Sequence, residues 1–254
     1  MTSNQASLAR MGRPAIVRRR LFCLPFAGGG ASTFRHWPAT LPDDIELLVV
    51  QLPGRDARRA ERPLDSIAAM ARATQLAVRE ASDLPFAVFG HSMGALVAYE
   101  LARALEDEGG PRPAHVFVSA RRPPDVPDRH APIHALPDDQ FLDALQHRYG
   151  AVPQAVRDEP DLLALLLPVL RADIKAVETY PTEGGRKVTC PLHVYGGADD
   201  RRPAPDELAG WDRAAAGDVR VRLFPGDHFY LTSAAADLTG DMAMTWAGVS
   251  AASR

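Results

Sequence analysis

Ser92 sits at the centre of Gly90-His91-Ser92-Met93-Gly94, a G-x-S-x-G pentapeptide. A serine hydroxyl is a competent nucleophile only when a base takes its proton during attack and a third group holds that base. Candidates for both follow in the order Ser, acid, His that a nucleophile elbow uses. Gly196-Gly197-Ala198-Asp199-Asp200 comes after one late apolar run, and Pro225-Gly226-Asp227-His228-Phe229 after the next. Of the eight histidines, only His228 has the required position. His115 and His193 fall inside strands, and His36, His130, His134 and His147 precede the late strands. His91 adjoins the serine and should point away from it. Either Asp199 or Asp200 satisfies a Gly-x-x-Asp spacing; Asp200 is favoured and Asp199 stays open.

Attack by such a serine makes an oxyanion, which needs two preorganised N–H donors. Met93, directly after the nucleophile, supplies one. Ala27 supplies the other, from Leu24-Pro25-Phe26-Ala27-Gly28-Gly29-Gly30, where glycines let the backbone come close to a substrate.

These residues need a rigid frame, and the flanking sequence has one. Phe86–Phe89 reads as a strand entering the elbow, and Ala95–Leu105 as a helix leaving it. Further strands are expected at Arg20–Leu24, Ile45–Leu52, His115–Ser119, Leu192–Tyr195 and Val219–Phe224. A helix over Ser66–Ala81 takes Asp65 or Ser66 as its N-cap. Short apolar strands alternating with helices predict a mostly parallel central sheet with helices on both faces, and the nucleophile elbow with its Ser, acid, His order makes the expected class an α/β-hydrolase fold. The stretch of about 121–187 breaks this rhythm. It reads as an inserted helical lid, with helices over Asp138–Tyr149 and from Asp161 to about Tyr180. The second is so rich in leucine that it should be covered on every side or line an apolar cavity, and Pro168 should kink or break it. One domain over residues 1–254 is expected.

Composition narrows the classes. The 254 residues are 46% hydrophobic and 24% charged, which is globular, and a formal net charge of −3 gives no case for nucleic-acid binding. No apolar stretch approaches the ~20 residues of a membrane span, and the polar N-terminus lacks a signal-peptide core. Cys23 and Cys190 are expected to be buried free thiols, and the compartment to be the cytoplasm.

Taken together, the motifs resemble those of type II thioesterases of polyketide synthase and nonribosomal peptide synthetase pathways. The resemblance rests on Leu24–Gly30 with Phe34 and Trp37, Gln51-Leu52-Pro53-Gly54-Arg55, Phe89–Ala95 with Tyr99-Glu100, and Gly226-Asp227-His228-Phe229. It spans about Leu21 to Leu231 and implies hydrolysis of stalled acyl groups from the phosphopantetheine arm of acyl or peptidyl carrier proteins. It also implies Ser92, His228 and Asp200 as the triad, Ala27 and Met93 as the oxyanion hole, no cofactor or metal, and a monomer. Arg55, Arg58, Arg59 and Arg62 form a cluster that would either meet an acidic carrier protein or sit in a solvated loop. The competing reading is a small-molecule carboxylesterase or lipase with the same triad.

Overall fold

The computed structural model describes residues 7–150, 157–182 and 187–248. Residues 1–6 of the polar N-terminus, residues 151–156 and 183–186 of the expected insertion, and residues 249–254 lie outside them. Seven strands form one sheet: β1 (Leu8–Met11), β2 (Arg19–Leu24), β3 (Ile45–Val50), β4 (Phe86–His91), β5 (His115–Ser119), β6 (Leu192–Gly197) and β7 (Arg220–Phe224). Their order is β1-β3-β2-β4-β5-β6-β7. All neighbours are parallel except β1, which runs antiparallel to β3.

The central strands are continuous apolar runs because both faces are covered. Alternate residues divide cleanly. Phe22, Val88, Val116 and Val194 pack under α1 (Ile67–Glu80) and α2 (Met93–Asp107). Leu21, Phe89, Phe117 and Tyr195 face the other way. There they meet α5 (Tyr230–Ser233) and α6 (Ala235–Trp246), through residues such as Tyr230 and Leu238. Ser66 caps α1, its Oγ accepting the Ala69 N–H at 3.2 Å.

The insertion between β5 and β6 carries α3 (Asp138–Tyr149) and α4 (Pro160–Glu178). With Ile133 of the preceding loop, Phe141, Leu145, Leu170 and Ile174 of these helices build a separate small core.

Two expectations need correction. β1 had no counterpart, because Leu8-Ala9-Arg10-Met11 carries no apolar run; it is an edge strand, tied to β3 by an Arg10–Glu46 ion pair. Of the kink or break expected at Pro168, the break does not occur, since α4 runs continuously through it. The proline removes one helical hydrogen bond, and burial of Val169, Leu170 and Ile174 just beyond it offsets that loss. Of the two expectations for α4, full cover or lining an apolar cavity, the second holds: Leu162 and Leu165 are 42% and 72% exposed, while Leu170 and Ile174 line a largely apolar pocket. The cysteines are free and buried as expected, burial pushing the Cys190 thiol up to about 12. Among the described residues no helix is long and apolar enough to cross a membrane.

Candidate active site

The turn from β4 to α2 forces Ser92 into a conformation that an L residue rarely adopts, with φ 54° and ψ −111°. Strain of this kind costs about 1–3 kcal/mol and persists only where the surroundings overdetermine it. They do so here. A Cβ on Gly90 would lie 2.0 Å from the Gly94 carbonyl oxygen, and one on Gly94 would lie 2.2 Å from that of Leu24. The Ser92 N–H also donates to the Ser119 carbonyl at 2.8 Å. Strand, turn and helix are therefore locked together, and Ser92 is held above the C-terminal edge of the sheet.

His228 arrives from the loop after β7, and its Nε2 lies 3.1 Å from Ser92 Oγ. Its Nδ1 is 2.8 Å from Oδ2 of Asp200, in the loop after β6. An ionised carboxylate only accepts, so Nδ1 carries the proton and Nε2 is left free to accept the serine proton. The other carboxylate oxygen accepts the Arg202 N–H at 2.8 Å. Asp200 is 5% exposed and His228 7%. Asp199 is exposed, and its N–H is bound to the Gly226 carbonyl at 3.0 Å. Of the two adjacent acids, only Asp200 reaches the histidine.

Sequence reasoning assigned His91 no task beyond turning away from the serine. It does turn away, and it takes up a supporting position. Its Nε2 is 2.8 Å from the His228 carbonyl, its Nδ1 is 2.8 Å from Ser119 Oγ, and that oxygen is 2.5 Å from the Tyr230 hydroxyl. A carbonyl only accepts, which fixes every proton. His91 Nε2–H donates to His228, Ser119 donates to His91 Nδ1, and Tyr230 donates to Ser119. Burial keeps His91 neutral by pushing its pKa well down, with the neighbouring His228 adding to the shift. This chain pins the backbone of His228 to β4 and β5.

The serine and histidine open into a pocket of about 30 Å³, lined by Phe26, Ala27, Tyr149, Leu170 and Ile174 among others. That is room for two or three waters. Met93 is the first residue of α2, where backbone N–H groups have no intrahelical acceptor. Ala27 lines the same pocket as Ser92. Arg121 also lines the pocket. Its buried Nε has no hydrogen-bond partner among the described residues, and desolvation lowers the guanidinium pKa.

The arginine cluster is not one surface. Arg55 is buried, and its two Nη atoms grip the Asp173 carboxylate of α4 at 2.9 and 2.8 Å. Arg58 is tied to Glu61 at 2.6 Å. Only Arg59 and Arg62 are exposed.

Comparison with known proteins places the chain in a family. The thioesterase domain family matches residues 19–242. The chain is 38% identical over 215 residues to the gramicidin S biosynthesis protein GrsT of Aneurinibacillus migulanus, covering 85% of this chain and 84% of GrsT. It is 40% identical over 225 residues to the thioesterase PikA5 of Streptomyces venezuelae, covering 88% and 79% respectively. Among solved structures it superposes on YbtT, a type II thioesterase of the yersiniabactin pathway, with a TM-score of 0.85. The identity there is 30%, over 96% of this chain and 99% of YbtT. The chain belongs to the thioesterase domain family, and its relatives include type II thioesterases.

Proposed function

We propose that the protein is a type II thioesterase that hydrolyses stalled or aberrant acyl groups from the phosphopantetheine arm of acyl or peptidyl carrier proteins. The observation that carries the catalytic part is the Ser92–His228–Asp200 chain, with contacts of 3.1 and 2.8 Å, at a pocket that Ala27 also lines. The carrier-bound substrate class is supported by the pathways in which GrsT and YbtT are named.

In this mechanism His228 Nε2 takes the Ser92 proton as Oγ attacks the thioester carbonyl. Asp200 holds His228 in the accepting tautomer and stabilises the imidazolium. The N–H groups of Ala27 and Met93 bind the oxyanion. As the tetrahedral intermediate collapses, the carbon–sulfur bond breaks and His228 returns its proton to the departing pantetheine sulfur. A water, deprotonated by His228, then attacks the acyl-serine, releasing the carboxylic acid and restoring Ser92. The chemistry asks for no cofactor beyond the arm that the substrate carries. Helices α3 and α4 act as the lid over the pocket.

The test is mass spectrometry of acylated carrier proteins before and after exposure to the enzyme, beside matched acyl-pantetheine thioesters and oxygen esters. Free carrier should accumulate with wild type, and Ser92→Ala should be slower by about 10⁴-fold or more. Faster turnover of the oxygen esters would favour the esterase reading.

A further inference from the structure

The triad accounts for neither of two buried charges, Arg55 and Asp173. Asp173 lies on the lid helix α4 and is 0% exposed. Its Oδ2 accepts both the Gly28 N–H at 2.8 Å and an Arg55 Nη1–H at 2.9 Å, while Oδ1 accepts from Nη2 at 2.8 Å. Nη1 also donates to the Gly29 carbonyl at 3.1 Å. Both backbone groups belong to the loop that presents Ala27. The same helix touches this loop a second time, since a Cβ on Gly28 would lie 2.4 Å from Leu170 Cδ2. Leu170 and Ile174 of α4 wall the pocket, so the helix that shapes the space beside Ser92 is the one that clamps this loop. Any withdrawal of α4 would take Asp173 with it. Gly28 N–H and Arg55 would then lose their acceptor, and the loop would lose its clamp.

We propose that Asp173 and Arg55 are positioning residues that couple the lid to the oxyanion hole, so that Ala27 N–H is aimed at the reacting carbonyl only while α4 is seated. The proposal rests on the reading of Ala27 as an oxyanion donor. It explains why a buried ion pair is kept at a place where well-packed apolar residues are often as stable. The pair joins the helix that walls the pocket to the loop that must be still for chemistry.

The experiment uses the double variant Arg55→Met/Asp173→Leu, which removes both charges together and so strands neither of them. Two probes are compared in the intact protein. One is an acyl-pantetheine thioester, for kcat and KM. The other is an alkyl trifluoromethyl ketone, whose hemiketal with Ser92 places an oxyanion in the hole. One oxyanion donor is worth about 10²–10³ in kcat. A folded double variant should lose at least about tenfold in both kcat and ketone affinity, with KM within about twofold. A purely structural role would not lower kcat and ketone affinity in parallel.

Values of both within about twofold of wild type would overturn the coupling. If the double variant folds poorly by circular dichroism, Arg55→Lys replaces it, because an ammonium cannot hold Asp173 bidentately and reach Gly29 as well. That variant should show the same paired loss at smaller size, and no loss would overturn the proposal. Ala27→Pro, which deletes the N–H itself, separates the two failures. If it leaves kcat and ketone affinity intact, the donor reading falls and takes the coupling with it. If it abolishes both while the clamp variants keep them, only the coupling falls.

Discussion

Replacing Asp200 by asparagine should disable the enzyme while leaving its fold in place, and the structure gives the reason. One Asp200 oxygen accepts the Arg202 N–H at 2.8 Å, and the other accepts from His228 Nδ1 at 2.8 Å. In Asp200→Asn the amide oxygen must stay with Arg202, since two N–H donors cannot face each other. The amide NH2 group therefore turns to His228, whose Nδ1 becomes an acceptor. The ring proton moves to Nε2 and points at Ser92 Oγ, 3.1 Å away. The base is then present in the correct place with its lone pair occupied. A wrong-tautomer histidine in a serine triad costs about 10⁴ in kcat, or about 5 kcal/mol of barrier. Thiol release from an acyl-pantetheine thioester, followed with a thiol-reactive chromophore, measures this directly. Asp199→Asn is the internal control, because its exposed carboxylate touches no part of the triad; its rate should stay within about twofold of wild type. The reasoning is refuted if Asp200→Asn keeps more than about a tenth of the activity, or if Asp199→Asn loses as much.

Two further outcomes follow from the geometry. Ser119→Ala strands a buried donor on Tyr230 and a buried acceptor on His91, at about 1–3 kcal/mol each, whereas Tyr230→Phe strands only an acceptor site on Ser119. Thermal melts should rank Ser119→Ala well below Tyr230→Phe, and the reverse order would contradict the proton directions assigned to this chain. Arg19 grips the Asp44 carboxylate through Nε and Nη2 at 3.0 and 2.9 Å, holding it below the usual carboxylate range. A depressed folded-state value stabilises above the unfolded value, near pH 4, and that contribution is lost as pH falls through the folded one. The urea midpoints of wild type and Asp44→Asn should therefore differ at pH 6 and converge toward pH 3; a gap independent of pH would count against the pair.

What could be read from the chain alone depended on how local each signal was. The elbow declares itself because Gly90, Ser92 and Gly94 are neighbours whose steric demands lie within one turn. His228 was identifiable by topological order. Adjacent Asp199 and Asp200 could not be separated by spacing, and burial separates them. Arg55 looked like part of a surface cluster because its partner lies 118 residues away on the lid. The support given by His91 was hidden for the same reason, its contacts being 28 and 137 residues distant. The closing helix α6 escaped notice: Gly240 lies within it, and its buried face is only apparent against the sheet.

The close contact at Gly90 and Gly94 has an electrostatic consequence. It allows α2, fifteen residues long, to begin directly after Ser92. Aligned peptide dipoles place the equivalent of about half a positive charge at that end of a helix. In the proposed mechanism the alkoxide and the oxyanion both develop there. The backbone thus supplies a fixed field that favours negative charge, and no titratable group generates it. Since peptide dipoles take up and release no protons, this part of the catalytic power is the same at every pH at which the fold survives.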